Sequence, residues 1–161
     1  MIVQLRNLIL TIGLAIAGLT LAGTAVAQQG FSKTVWDGVY TPEQAVRGEA
    51  AYAQRCGQCH GGQLNGTGEA PALVGGEFIS HYNEMSLGDL FDRVRTTMPM
   101  DNPQSLGREE YADILAFLLK ANSFPAGEQA LDRRSEVLAM IAFVAEKPKT
   151  AEAKGADAPT P

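Results

Sequence analysis

Three stretches of this chain repeat at helical spacing. In the first, Ala45, Gly48, Tyr52 and Arg55 recur every three or four residues, predicting a helix that runs into Cys56. Thr41 suits its N-cap, Pro42 its first position, and Gln44 completes a capping box. A second helix is predicted from Ser86, with Asp89 as capping partner and Leu87, Leu90, Phe91 and Val94 as one apolar stripe. It stops near Thr97, because Pro99 disfavours helical backbone at Met98. A third starts around 105–107 and carries Tyr111, Ile114, Leu115 and Leu118 on one core-facing stripe. Lys120 suits its C-terminal end, and Asn122, Pro125 and Gly127 close it. Between the first two, 57–76 is rich in glycine and broken by Pro71, which predicts a loop. Asp101-Asn102-Pro103 is a turn. Over 135–143 apolar residues return without a clean period, predicting either a short helix or a helical turn followed by an extended piece.

The N-terminus stands apart. Arg6 precedes an uncharged, mostly apolar run over 8–21, and Ala25-Val26-Ala27 has the small-x-small spacing that signal peptidase cuts. These predict a secretory signal peptide over 1–27, cleaved near Ala27, and a periplasmic mature chain. The rival reading is an uncleaved anchor, which needs about 20 apolar residues to span a bilayer. The run falls short of that, so no membrane span is expected after cleavage. The whole chain has 161 residues and net charge −5, leaving room for one domain. Its mild acidity gives no electrostatic case for nucleic acid, and no Lys/Arg run marks a membrane-surface patch. An exported chain can form disulfides. The two cysteines, however, are three positions apart, and a bond between them would close almost no loop. They need another role.

Cys56-Gly57-Gln58-Cys59-His60 supplies one. C-x-x-C-H is the attachment signature of c-type haem. Two thiols so spaced can each add to one vinyl group of a porphyrin edge, and the next residue is then held where its imidazole reaches the iron. A thioredoxin-type dithiol would sit near a βαβ pattern, and no strand is predicted here. A structural zinc site wants four ligands; only two cysteines and two histidines exist, and adjacent Cys59 and His60 would strain a tetrahedron. For the sixth iron position Met98 is best placed, at a helix end held extended by Pro99. Met100 is the rival, beside a polar turn. Met85 is expected to pack, and His81, among Ser80, Tyr82 and Asn83, to be exposed.

The chain resembles class I cytochrome c in Cys56 to His60, in the loop Asn65-Gly66-Thr67-Gly68-Glu69-Ala70-Pro71-Ala72-Leu73, in Arg95-Thr96-Thr97-Met98-Pro99 and in the closing helix over 111–119. The resemblance spans roughly 35–127. More narrowly, 97–127 is similar to cytochrome c domains in or beside quinoprotein (PQQ-dependent) alcohol dehydrogenases. The resemblance implies an all-α fold, three main helices and long loops around one covalently bound haem c. It implies thioethers on Cys56 and Cys59 and axial ligation by His60 and Met98. It also implies a Pro71 carbonyl that accepts the other N–H of His60, and Leu73 on the haem face. Gly48 and Tyr52 would meet Ile114 and Phe117 where the first and last helices cross. Gly107 replaces the usual polar opening of the last helix, which should therefore begin late.

The expected organisation is a signal peptide over 1–27, a linker over 28–34, the cytochrome domain over 35–127, a C-terminal extension over 128–146 and a disordered tail over 147–161, where nothing can be buried. The implied function is periplasmic single-electron transfer, because His/Met ligation fills both axial positions and raises the potential. The implied partners are redox proteins: a dehydrogenase, PQQ-dependent on the narrower resemblance, and a terminal oxidase or another cytochrome. One alternative is a tightly bound subunit of a dehydrogenase complex. The extension favours it, since Val137, Leu138, Ile141 and Phe143 have no obvious place in a complete cytochrome fold. Another is a haem enzyme with a labile sixth ligand. Should the extension fold back on its own domain, a free carrier is expected.

Overall fold

The computed structural model describes residues 30–68 and 70–149. The predicted signal peptide and residues 150–161 of the tail lie outside them. Six helices are described: α1 (Pro42–Arg55), α2 (Gly57–His60), α3 (Gly76–Tyr82), α4 (Leu87–Thr97), α5 (Arg108–Ala121) and α6 (Ser135–Leu138). Two short strands, β1 (Lys33–Thr34) and β2 (Ile141–Ala142), pair in parallel. The three main helices expected from periodicity are α1, α4 and α5, of 14, 11 and 14 residues.

Local chemistry sets their ends. At α4 the capping box is complete: the Asp89 N–H donates to Ser86 Oγ at 3.0 Å and the Ser86 N–H to Asp89 Oδ2 at 3.1 Å. The helix stops at Thr97, and Met98 is extended at φ −126° and ψ 152°. At α1 the box is only half made, contrary to the sequence expectation. Thr41 Oγ1 accepts from the Gln44 N–H at 3.2 Å, but the Gln44 amide turns inward to Leu131, donating to its carbonyl at 3.0 Å and accepting its N–H at 2.6 Å. Leu131 is buried in an irregular segment, so its backbone groups need partners, and Gln44 supplies both. α5 begins at Arg108, after an N-cap glycine that makes no side-chain cap.

Helices α1 and α5 cross at contact distance. A Cβ on Gly48 would lie 1.8 Å from the Asp113 carbonyl oxygen and 3.0 Å from the Ile114 nitrogen; only glycine permits this approach. Tyr52 meets Phe117 with ring centroids 5.3 Å apart. Arg47 forks onto buried Asp113 at 2.8 and 2.9 Å, which raises the Arg47 pKa, chiefly through that hydrogen bond. α5 is buried over the whole run 111–119 rather than along one stripe, because α1 and α4 both pack on it. A helix apolar on every side hides its period.

Two short helices depart from the loop expected over 57–76 and the residues after it. α2 continues α1 through Cys56, whose N–H bonds the Tyr52 carbonyl at 2.8 Å. α3 buries only Phe78, too little to show as periodicity.

The extension corrects the sequence expectation more deeply. Leu131, Leu138, Ile141 and Phe143 are buried in the core, with Val137 half-buried. The Phe143 N–H donates to Met85 O and the Glu84 N–H to Phe143 O, both at 2.8 Å. Trp36 Nε1 donates to Val144 O at 3.0 Å. The Phe143 ring stands edge-on to Phe124 and Phe78 at centroid distances of 5.2 and 6.1 Å. α6 and its C-cap Ala139 pass α4 at Gly88, where a Cβ would lie 2.7 Å from both Ser135 O and Ala139 N. These apolar residues therefore have a place in the fold: the strap from Leu131 to Phe143 closes the domain. Burial of its apolar side chains, worth about 1.5–3 kcal/mol each, drives the closure. Among the described residues no helix is long and apolar enough to cross a membrane.

Candidate functional site

The Cys59 and His60 N–H groups both return to the Cys56 carbonyl, at 3.1 and 2.9 Å. This single turn puts positions i, i+3 and i+4, the two thiols and the imidazole, along one face. The two cysteines form no disulfide. Cys59 is exposed; Cys56 is half-buried, and burial, with Cys59 and Glu110 adding to it, pushes its thiol up to about 11. His60 is 8% exposed, and its Nδ1 lies 2.8 Å from the Pro71 carbonyl oxygen. A carbonyl can only accept, so Nδ1 holds a proton, and the tautomer this selects is the one whose Nε2 lone pair can meet a metal.

The loop that supplies Pro71 is tied back to the turn. The Gly66 N–H donates to His60 O at 2.9 Å, and the Thr67 hydroxyl donates to Cys59 O. Gly66 sits at φ +75°, and a Cβ there would meet Ala70 O at 2.5 Å and Pro71 C at 2.9 Å. A larger residue would drive Pro71 away from His60. The Tyr52 hydroxyl donates to Gly61 O at 2.7 Å; burial, then nearby Cys56, raises its pKa to about 12. Leu73 is half-buried. Its N–H bonds Leu64 O at 2.7 Å, and its carbonyl accepts from Asn122 Nδ2 at 2.9 Å. Asn122 Oδ1 also accepts the Gly75 N–H at 3.0 Å. Sequence reasoning takes Asn122 as a helix stop; here it clamps the Leu73 segment. No periodicity marks Gly66, Thr67 or Asn122, since each works through backbone groups: Gly66 and Thr67 on the turn just before them, Asn122 on a loop 49 positions back.

Met98 leaves the end of α4 half-buried, and its carbonyl accepts the Tyr111 hydroxyl at 2.7 Å. Met100 is 80% exposed. His81 is exposed against the edge of Tyr82, 4.8 Å between centroids, and Met85 is half-buried. Among the described residues no three His, Cys, Asp or Glu side chains form a metal cluster, so a structural zinc site has no donor set. Two open cavities of about 500 and 420 Å³ run beside Leu131. Neither is lined by the turn from Cys56 to His60, and the Arg47–Asp113 and Arg134–Asp132 pairs on the larger one are already satisfied. The donor set at the turn suits an iron porphyrin: two adjacent free thiols on one face, and an imidazole with its tautomer fixed by a carbonyl.

The helix topology and this turn define a class I cytochrome c. Residues 43–118 match the model of the family described as cytochrome c oxidase, cbb3-type, subunit III. Among solved structures it is similar to the sulfane dehydrogenase SoxCD from Paracoccus pantotrophus, at 25% identity and a TM-score of 0.50. The likeness covers 73% of this chain and 64% of that one. No curated protein matches the sequence.

Proposed function

We propose that this cytochrome is an exported, periplasmic single-electron carrier holding one covalent haem c. In this reading Cys56 and Cys59 form the thioethers, and His60 and Met98 are the axial ligands. Pro71 fixes the His60 tautomer and Leu73 packs on the haem face. The observation that carries it is the 2.8 Å contact between His60 Nδ1 and Pro71 O, which presents one imidazole nitrogen next to two free thiols. The haem supplies a one-electron iron couple. The chain's own residues would orient it and hold its axial bonds. Expression with haem-maturation machinery should give a denatured band that stains for haem. Replacing both Cys56 and Cys59 with Ala should abolish the stain. Stain persisting in the double variant would overturn covalent attachment. N-terminal sequencing of exported protein should find a start at Gln28 or close to it.

The electron donor we propose is a dehydrogenase. The narrower resemblance of 97–127 favours a PQQ-dependent one, and the likeness to SoxCD favours a dehydrogenase in general. Docking through the extension is no part of this reading, because its apolar residues are buried. A quinoprotein dehydrogenase supplied with alcohol should reduce this protein faster than it reduces an unrelated cytochrome. Equal rates would remove the quinoprotein from the reading and leave the electron carrier.

A further inference from the structure

Two methionines, Met98 and Met100, lie two residues apart beside a proline, and either thioether can ligate iron. Their backbones are held very differently. The Met98 N–H is bonded to Val94 O at 2.9 Å, the last bond of α4, and its carbonyl accepts the Tyr111 hydroxyl at 2.7 Å. Both polar backbone groups of Met98 are therefore fixed, one by α4 and one by α5. Among the described residues the Met100 backbone makes no hydrogen bond, and the residue spans an exposed turn closed by the Asn102 N–H on Pro99 O.

We propose that Tyr111 is a positioning residue that selects Met98 over Met100 as the sixth ligand, by pinning the Met98 carbonyl. The inference rests on the reading of Met98 as an axial ligand. Tyr111 is 2% exposed, so its hydroxyl has little access to water. Sliding the chain to bring Met100 inward would leave a buried phenol without an acceptor, a costly state. The pin is also rigidly mounted. α5 is locked against α1 by the Gly48 crossing and by the Arg47–Asp113 fork. The same α1 runs on into the turn that presents His60. One helix crossing thus fixes both axial arms: α1 runs into the turn that carries the imidazole, and α5 holds the extended segment that carries the thioether.

The test uses mature holoprotein and three single variants, Met98→Ala, Met100→Ala and Tyr111→Phe, with the double variant Tyr111→Phe/Met100→Ala. Tyr111→Phe keeps the ring and removes only the hydroxyl. The readouts are the thioether-to-iron absorption band and the affinity of the oxidised protein for added imidazole, which competes for the sixth position. Met98→Ala should lose the band and Met100→Ala should keep it. Tyr111→Phe should bind imidazole about tenfold more tightly, as expected for losing one buried hydrogen bond, and the band it retains should now weaken when Met100 is removed. Phe91→Leu is the control for packing alone, since Phe91 meets the Tyr111 ring edge-on at 6.5 Å. It should lower the melting temperature and leave imidazole affinity unchanged. If Met98→Ala loses the band but Tyr111→Phe matches wild type in imidazole affinity, or Phe91→Leu has the same effect as Tyr111→Phe, the pin is refuted and Met98 ligation stands. If Met100→Ala loses the band and Met98→Ala keeps it, the ligand assignment itself falls, and the selection by Tyr111 falls with it.

Discussion

Gly48 is the residue on which most of the architecture turns. A Cβ there would sit 1.8 Å from the Asp113 carbonyl, a backbone atom that cannot rotate away, so Gly48→Ala must push α1 off α5. Overpacking of this kind costs about 1–3 kcal/mol or more; denaturant unfolding of the holoprotein should show a loss at the upper end of that range. Asp132 makes a smaller, pH-linked contribution. The hydrogen bond from Arg134 comes first among the causes that lower its pKa to about 2. Its carboxylate thus favours the folded state above the unfolded carboxylate range, and that contribution fades as pH falls from about 4 towards 2. The pair is largely exposed, so the effect is small and screened by salt. Asp132→Asn should flatten the acid shoulder of the stability–pH curve and lower stability slightly at pH 7, by less in high salt.

At the scale of elements, the strap from Leu131 to Phe143 behaves as core. Removing everything after Gly127 would strip away Leu131, Leu138, Ile141 and Phe143. At about 1.5–3 kcal/mol per buried side chain, that loss rivals the 5–15 kcal/mol total stability typical of a domain. The truncated chain should therefore fail to accumulate as folded holoprotein, judged by haem-stained yield and melting temperature. A truncation that is normally stable and merely slow to accept electrons would contradict this. The strap also explains what could and could not be read in advance. α4 announces itself because its cap, stripe and proline stop lie within fourteen consecutive residues. α6 and β2 do not, because their partners, Gly88 on α4 and Lys33–Thr34, lie far away in sequence and their own period is too short to register. Gln44 misleads for the same reason: as a capping-box residue it looks local, yet its amide serves Leu131, 87 positions on.

For the whole molecule, the legible part was the helix framework and the candidate turn from Cys56 to His60, both encoded within a few consecutive residues. Cys56, Cys59 and His60 needed only their spacing. The contact of Pro71 with His60, implied by resemblance, is physically made by Gly66 and Thr67. The clamp by Asn122 and the hydroxyl of Tyr111 depend on which helices cross, which no local pattern states. The parallel pairing of Lys33–Thr34 with Ile141–Ala142 joins nearly the two ends of the described chain, and Ser32 bonds Met140 across 108 positions. Such a contact is entropically expensive to form early. During synthesis, the chain must have emerged as far as Ile141–Ala142 before this seam can zip. The cysteine pair, near residue 60, emerges some eighty residues sooner. On the proposed reading, a nascent chain would offer its Cys56–His60 turn for haem attachment while the domain is still unsealed, and β2 would then act as a late fastener over the core.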